Sequence, residues 1–161
     1  MMAHSAIYKR LANTPTVFTI HNGQYHGAFS WDKLNYLPEV DMNAAGLLDW
    51  SGGINPLASA VRCCSAYTTV SPSYMDELSW NSNGLEQLFR MEREKGIGII
   101  NGIDTQVWNP AGDDMIAAKY TLRTAVAGKQ KNKEALCKRF ELDSEKPLIA
   151  FIGRLVEEKG A

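Results

Sequence analysis

The sequence has 161 residues, enough for one ordinary domain or parts of two at roughly 100–200 residues per domain. It is 45% hydrophobic and 22% charged, a balance that excludes an intrinsically disordered chain. A net charge of −1 gives no basic excess for nucleic acid or an anionic membrane surface, and no apolar run approaches the roughly 18 residues a membrane span needs.

The opening MMAHSAIYKRL lacks the cationic stretch and apolar segment of an export signal. Cys63, Cys64 and Cys137 form no CxxC pair and read as reduced thiols of a cytosolic protein. His4, His21 and His26 show no zinc spacing with cysteine or carboxylate, so no metal is expected. Gly96, Gly98 and Gly102 fall one residue off the dinucleotide fingerprint and lie on a strand rather than after it. No cofactor is expected.

In chain order, residues 3–11 carry the pattern of a helix tail. Pro15 then precedes TVFTI, a β-branched and aromatic run that reads as a buried strand ending at His21. Residues 22–53 are irregular and glycine-rich, with Pro38 among them, as in a functional loop. Asn55-Pro56 and Ser71-Pro72 each pair a capping side chain with a first-turn proline. The first opens a helix with Leu57, Ala58 and Val61 on one face, and the second a helix carrying Tyr74, Met75 and Leu78. AYTTV (66–70) between them is a short strand. Asn83 with Glu86 resembles a capping box for a third helix through Leu85, Leu88 and Phe89.

GIGII (96–100) is another strand, followed by a turn-rich stretch around Trp108 to Gly112. A short helix is expected over 113–121, and an amphipathic one over 130–140 with Ala135, Leu136 and Phe140 on its apolar side. Pro147 introduces LIAFIG (148–153), a fourth strand. Strands alternating with helices favour a parallel α/β sheet. The last strand lacks the crossover helix that should follow, so the sequence reads as part of something longer.

Three segments could carry chemistry. TIHNGQYHGAF (19–29) puts His21 and Asn22 at the carboxyl end of a strand, the edge where α/β proteins bind ligands, and Gly23 permits close backbone approach. A histidine that merely caps the strand turn fits the spacing equally well. INGID (100–104) is again a strand end, although Asn-Gly is also a common turn. FIGRLVEEKG (151–160) offers Arg154, a planar fork of donors, and Lys159, a mobile point charge. Together they suit a phosphate or diphosphate. They could equally be surface cations balanced by Glu157 and Glu158.

Taken together, TVFTIHNGQYHGAF, SAYTTVSPSYMDEL, NGLEQLF, GIINGIDTQVWNPAGD and PLIAFIGRLVEEKG resemble the bacterial glycogen synthases and plant starch synthases. These are retaining glucosyltransferases of two Rossmann-like domains, the GT-B architecture. The resemblance spans nearly the whole chain from about residue 15. It implies an α/β fold holding parts of two such domains, truncated at both ends. Residues 1–100 would be the C-terminal portion of the acceptor-side domain. Residues 101–161 would be the interdomain linker and the start of the nucleotide-sugar-binding domain.

The implied reaction moves glucose from a nucleotide sugar, ADP-glucose or else UDP-glucose, to the 4-hydroxyl at the non-reducing end of an α-1,4-glucan. The implied partners are therefore that donor and that acceptor. His21 matches the family's active-site histidine near the transferred glucose, and Asn101 an asparagine of the interdomain cleft. Arg154 and Lys159 match the pair that holds the donor diphosphate. Asn22 and Asp104, in the same motifs, fall with the substrate-binding residues. The family's lysine–glycine–glycine loop and its downstream glutamate motif are absent, so the chain alone is expected to be inactive. The alternatives are another retaining glycosyltransferase of the same fold, which would share the Arg/Lys block, and a non-catalytic carbohydrate- or nucleotide-binding module.

Overall fold

The computed structural model describes residues 13–37, 46–156 and 159–160. The helix expected over 3–11, Pro38, Glu157 and Glu158 lie outside these residues. The chain divides into two compact units, Met1–Asn101 and Gly102–Ala161.

The first unit is built on a parallel sheet of three strands in the order β1-β4-β5: β1 (Val17–Ile20), β4 (Ala66–Thr69) and β5 (Gly96–Gly98). Val17 pairs with Ala66 and Ile20 with Thr69, while Tyr67 pairs with Gly96 and Thr69 with Gly98. Between β1 and β4 the chain forms a small antiparallel hairpin, β2 (Asp49–Trp50) and β3 (Gly53–Ile54), and then α1 (Pro56–Cys63). In the sequence this hairpin falls at the end of the irregular stretch 22–53. It is two residues per strand, too short for a period-2 pattern to show. Its Ser51-Gly52 turn has both residues at positive φ, as a two-residue hairpin requires.

Both cap-plus-proline signals open helices. The Asn55 side chain accepts from the amide of Ala58 at 3.0 Å and starts α1. The Ser71 hydroxyl accepts from the amide of Tyr74 at 2.9 Å and starts α2 (Pro72–Glu77). At the other end of α1, the Lys95 ammonium donates to the carbonyls of Val61 and Arg62 at 3.0 and 3.1 Å, satisfying acceptors the helix leaves open.

The third helix, α3 (Glu86–Met91), starts differently from the expected capping box. Asn83 has φ 53° and forms a turn with Gly84 instead of capping the helix. The Glu86 carboxylate reaches back and accepts from the amides of Ser82 and Gly84 at 2.9 and 3.2 Å. These amides, Ser82 first, hold the Glu86 carboxyl below its usual range.

The core lies between the sheet and the three helices: Ile20, Leu57, Ala58, Val61, Tyr67, Met75, Leu78, Leu85, Leu88 and Phe89 are all buried. Gly96 and Gly98 let α2 approach β5. A Cβ at Gly96 would run into Met75 and Tyr67, and one at Gly98 into the backbone of Ser71 and Pro72.

The second unit contains α4 (Ala125–Arg139), preceded by a 3₁₀ turn over Leu122–Thr124. Asn132 clamps the preceding segment: it accepts from the Ala118 amide at 3.0 Å and donates to the Ala118 and Gly128 carbonyls at 2.7 and 2.8 Å. Three expectations fail here. Residues 113–121 form turns rather than a helix, with Asp113 and Asp114 spending their carboxylates locally, on the Met115 amide and the Lys119 ammonium. The face of α4 read as apolar is exposed at Ala135, Leu136 and Phe140, while Gly128 and Cys137 are buried. LIAFIG does not form a strand: Ile149 and Ile152 are more than nine-tenths exposed. A strand needs a neighbouring ladder, and no strand occurs among the described residues of this unit.

Candidate active site

All three strands of the sheet end on one edge. β1 runs directly into His21 and Asn22, β4 into the Ser71 cap of α2, and β5, after Ile99 and Ile100, into Asn101. Ile99 extends the pairing by donating its amide to Thr69. Two of the sequence-predicted positions, His21 and Asn101, thus leave the sheet on the same edge, on either side of β4.

His21 is exposed, and its ring has no hydrogen bond among the described residues. The backbone that carries it is fastened. Asn22 accepts from the Gln24 amide at 2.9 Å, closing an Asx turn. The Gly23 amide donates to the Tyr74 phenol at 2.8 Å, and Gly23 is buried so tightly that a Cβ would run into Leu78. Gln24 donates to the Asn81 carbonyl at 3.2 Å. The His26 ring lies 3.0 Å from the Gly23 carbonyl, 2.9 Å from that of Ser82 and 3.3 Å from the Asn55 amide nitrogen.

Beside this loop lies an open groove of about 430 Å³ whose lining includes His26, Phe29, Trp50, Asn55 and Asn83. Trp50 is fixed in it by donating from Nε1 to the Gly84 carbonyl at 2.9 Å, with the Arg62 guanidinium 4.8 Å from its ring centre.

The remaining sequence-predicted residues belong to the second unit. Asp104 accepts from the amides of Gln106 and Val107 at 2.9 and 3.0 Å. Its carboxyl is held below the ordinary range, chiefly by Val107 and then Gln106. It therefore shapes the turn after Asn101. Arg154 and Lys159 are exposed, on a segment where the Val156 amide donates to the Arg154 carbonyl and the Lys159 amide to that of Val156, both at 3.0 Å.

Sequence reasoning missed Tyr74, Asn55 and His26 as supports of the loop. The sequence pattern marks Tyr74 only as a helix-face residue and Asn55 only as a cap. Among the described residues no group of three His, Cys, Asp or Glu could hold a metal, and no helix is long and apolar enough to cross a membrane.

A parallel sheet with a braced polar loop at its carboxyl edge defines an α/β protein, and that edge is where proteins of this class bind ligands. The family profile of the starch synthase catalytic domain matches residues 1–91, and the chain belongs to that family. It is 56% identical over 153 residues to the glycogen synthase of Flavobacterium johnsoniae, covering 95% of this chain and 32% of that protein. It is 38% identical over 154 residues to the glycogen synthase of Treponema denticola, covering 92% of this chain and 31% of that one. The catalytic domain of starch synthase IV from Arabidopsis thaliana, bound to ADP and acarbose, matches with a TM-score of 0.71 and 31% identity. That match covers 89% of this chain and 31% of the other. The chain thus spans about a third of the length of these relatives. Its mixed α/β fold matches that of a GT-B starch synthase, and the relatives named here are glycosyltransferases.

Proposed function

We propose that the protein carrying this chain transfers glucose from ADP-glucose to the non-reducing 4-hydroxyl of an α-1,4-glucan, with retention of configuration. The observation that carries this reading is the braced His21–Asn22 loop at the carboxyl edge of a parallel sheet, in a chain similar to a starch synthase bound to ADP and acarbose. Residues 1–100 contribute to the acceptor-side domain. Residues 101–161 are the interdomain linker and the beginning of the nucleotide-sugar domain.

The leaving group is a nucleoside diphosphate, so the barrier falls when its growing negative charge meets fixed donors. Arg154 and Lys159 are assigned to that charge. His21 and Asn22 orient the glucose and stabilise the oxocarbenium-like transition state, without a covalent bond to His21. Asn101 and Asp104 are assigned to substrate binding, and the Asp104 carboxylate fixes its own turn through the Gln106 and Val107 amides. The three free thiols agree with a cytoplasmic location.

The test is incorporation of labelled glucose into glycogen by the full-length protein, with ADP-glucose and UDP-glucose compared as donors. Faster incorporation from ADP-glucose is expected, and no incorporation from either donor overturns the reading. The 161-residue chain by itself is expected to incorporate none, because domain closure gates such enzymes and this chain spans about a third of its relatives.

A further inference from the structure

We infer that His26 is the positioning residue of the His21 loop, acting as a neutral imidazole protonated on Nε2. The inference rests on the assignment of His21 to the glucose site.

The tautomer follows from the partners. Nε2 faces two carbonyl oxygens, of Gly23 at 3.0 Å and Ser82 at 2.9 Å, and carbonyls only accept. Nε2 therefore carries the hydrogen and shares it between them. Nδ1 lies 3.3 Å from the Asn55 amide nitrogen. That amide cannot be turned around, because its oxygen is committed to the Ala58 amide at the start of α1. Nδ1 must therefore present a lone pair to the Asn55 N–H. A second proton on the ring would set two donors face to face.

One side chain thus joins three segments: the loop after β1, the turn over 82–84 and the cap of α1. Gly23 is the residue this matters to. Its N–H is held by Tyr74 and its C=O by His26, and the Leu78 side chain fills the place where a Cβ would stand. His21, two residues earlier, is displayed on a backbone pinned just behind it. Orientation of this kind is worth much in catalysis, since a misplacement of about 1 Å can cost about 100-fold. Loss of the pin should lower kcat more than it raises KM, because it acts on transition-state alignment.

The test uses His26→Gln, which keeps one donor and one acceptor, and His26→Leu, which keeps bulk and neither. Glucosyl transfer by the full-length protein should fall about 10- to 100-fold in kcat for the leucine variant. KM should change little, and the glutamine variant should recover most of the rate. Unchanged kcat in a folded leucine variant overturns the proposal, as does a folded glutamine variant no better than leucine. Nitrogen-15 spectra of the ring at pH 8 supply an independent arm, which holds even if the leucine variant fails to fold. Hydrogen on Nε2 with Nδ1 bare is expected; hydrogen on Nδ1 overturns the inference. If the wild-type protein transfers no glucose, the functional reading fails. The ring spectra, with faster exchange of the Gly23 amide in the glutamine or leucine variant than in wild type, still decide whether His26 pins the loop; unchanged exchange counts against it.

Discussion

The backbone N–H of Gly23 donates to the phenol of Tyr74 across 2.8 Å, so the first turn of α2 fastens the loop that follows β1. Replacing Tyr74 with Phe keeps the ring and removes the acceptor, leaving a half-buried amide unpaired. Stability should fall by about 1 kcal/mol. A urea titration of wild type against Tyr74→Phe measures this, and an unchanged midpoint would show the contact to be idle.

Two glycine substitutions separate side-chain crowding from backbone crowding. A Cβ at Gly23 meets the Leu78 side chain, which can rotate at some cost in a buried site. A Cβ at Gly98 meets the Ser71 carbonyl and the Pro72 backbone, which cannot move without lifting α2 from the sheet. Overpacking typically costs about 1–3 kcal/mol, so Gly23→Ala should fall near the lower end and Gly98→Ala at or beyond the upper. Thermal unfolding of both variants tests the order; the reverse order would contradict the packing described.

Tyr67 is fully buried against Phe89, and its hydroxyl has no partner among the described residues. Burial pushes its phenol up to about 12 from 10.0. Between these values the unfolded chain loses the proton while the folded chain keeps it, so stability falls as pH rises through this window. The whole loss is on the order of 2–3 kcal/mol. Tyr67→Phe should flatten that alkaline slope while costing little at pH 7, because no hydrogen bond is lost. Unfolding midpoints from pH 9 to 12 give the slope directly, and an equal slope in both proteins would refute the assignment.

Asn55 combines two duties that a single substitution can split. Asn55→Ala removes the α1 cap and the donor to His26, and should cost about 1–2 kcal/mol. Asn55→Asp keeps the cap acceptor and replaces the donor with an oxygen facing the ring. It should be less destabilising than alanine, by chemical denaturation, yet shift the ring signals of His26. Destabilisation as large as that of alanine would contradict this order.

For the donor side, Arg154→Ala and Lys159→Ala in the full-length protein should each lower kcat by roughly 100-fold, the range measured for loss of one preorganised donor. Steady-state kinetics with ADP-glucose decides it, with wild-type rates in either variant removing that residue from the diphosphate site.

Residues with a strong local rule were readable in one dimension. Asn55-Pro56 and Ser71-Pro72 announce helix starts because capping and a fixed proline φ act within four residues, and TVFTI and AYTTV announce strands by their β-branched runs. The family motifs pointed to His21, Asn22 and Asn101, the first two directly at a strand exit and the third two residues beyond the paired Ile99.

What the tertiary structure decided depends on partners far away in sequence. Gly23 meets Tyr74 51 residues on, and His26 meets Ser82 56 residues on. LIAFIG carries strand chemistry yet forms no strand, since a ladder requires a second chain segment to supply its donors and acceptors. Composition and periodicity fix what a segment prefers; whether the preference is realised, and which histidine is displayed while the other is tied down, is set by what folds against it.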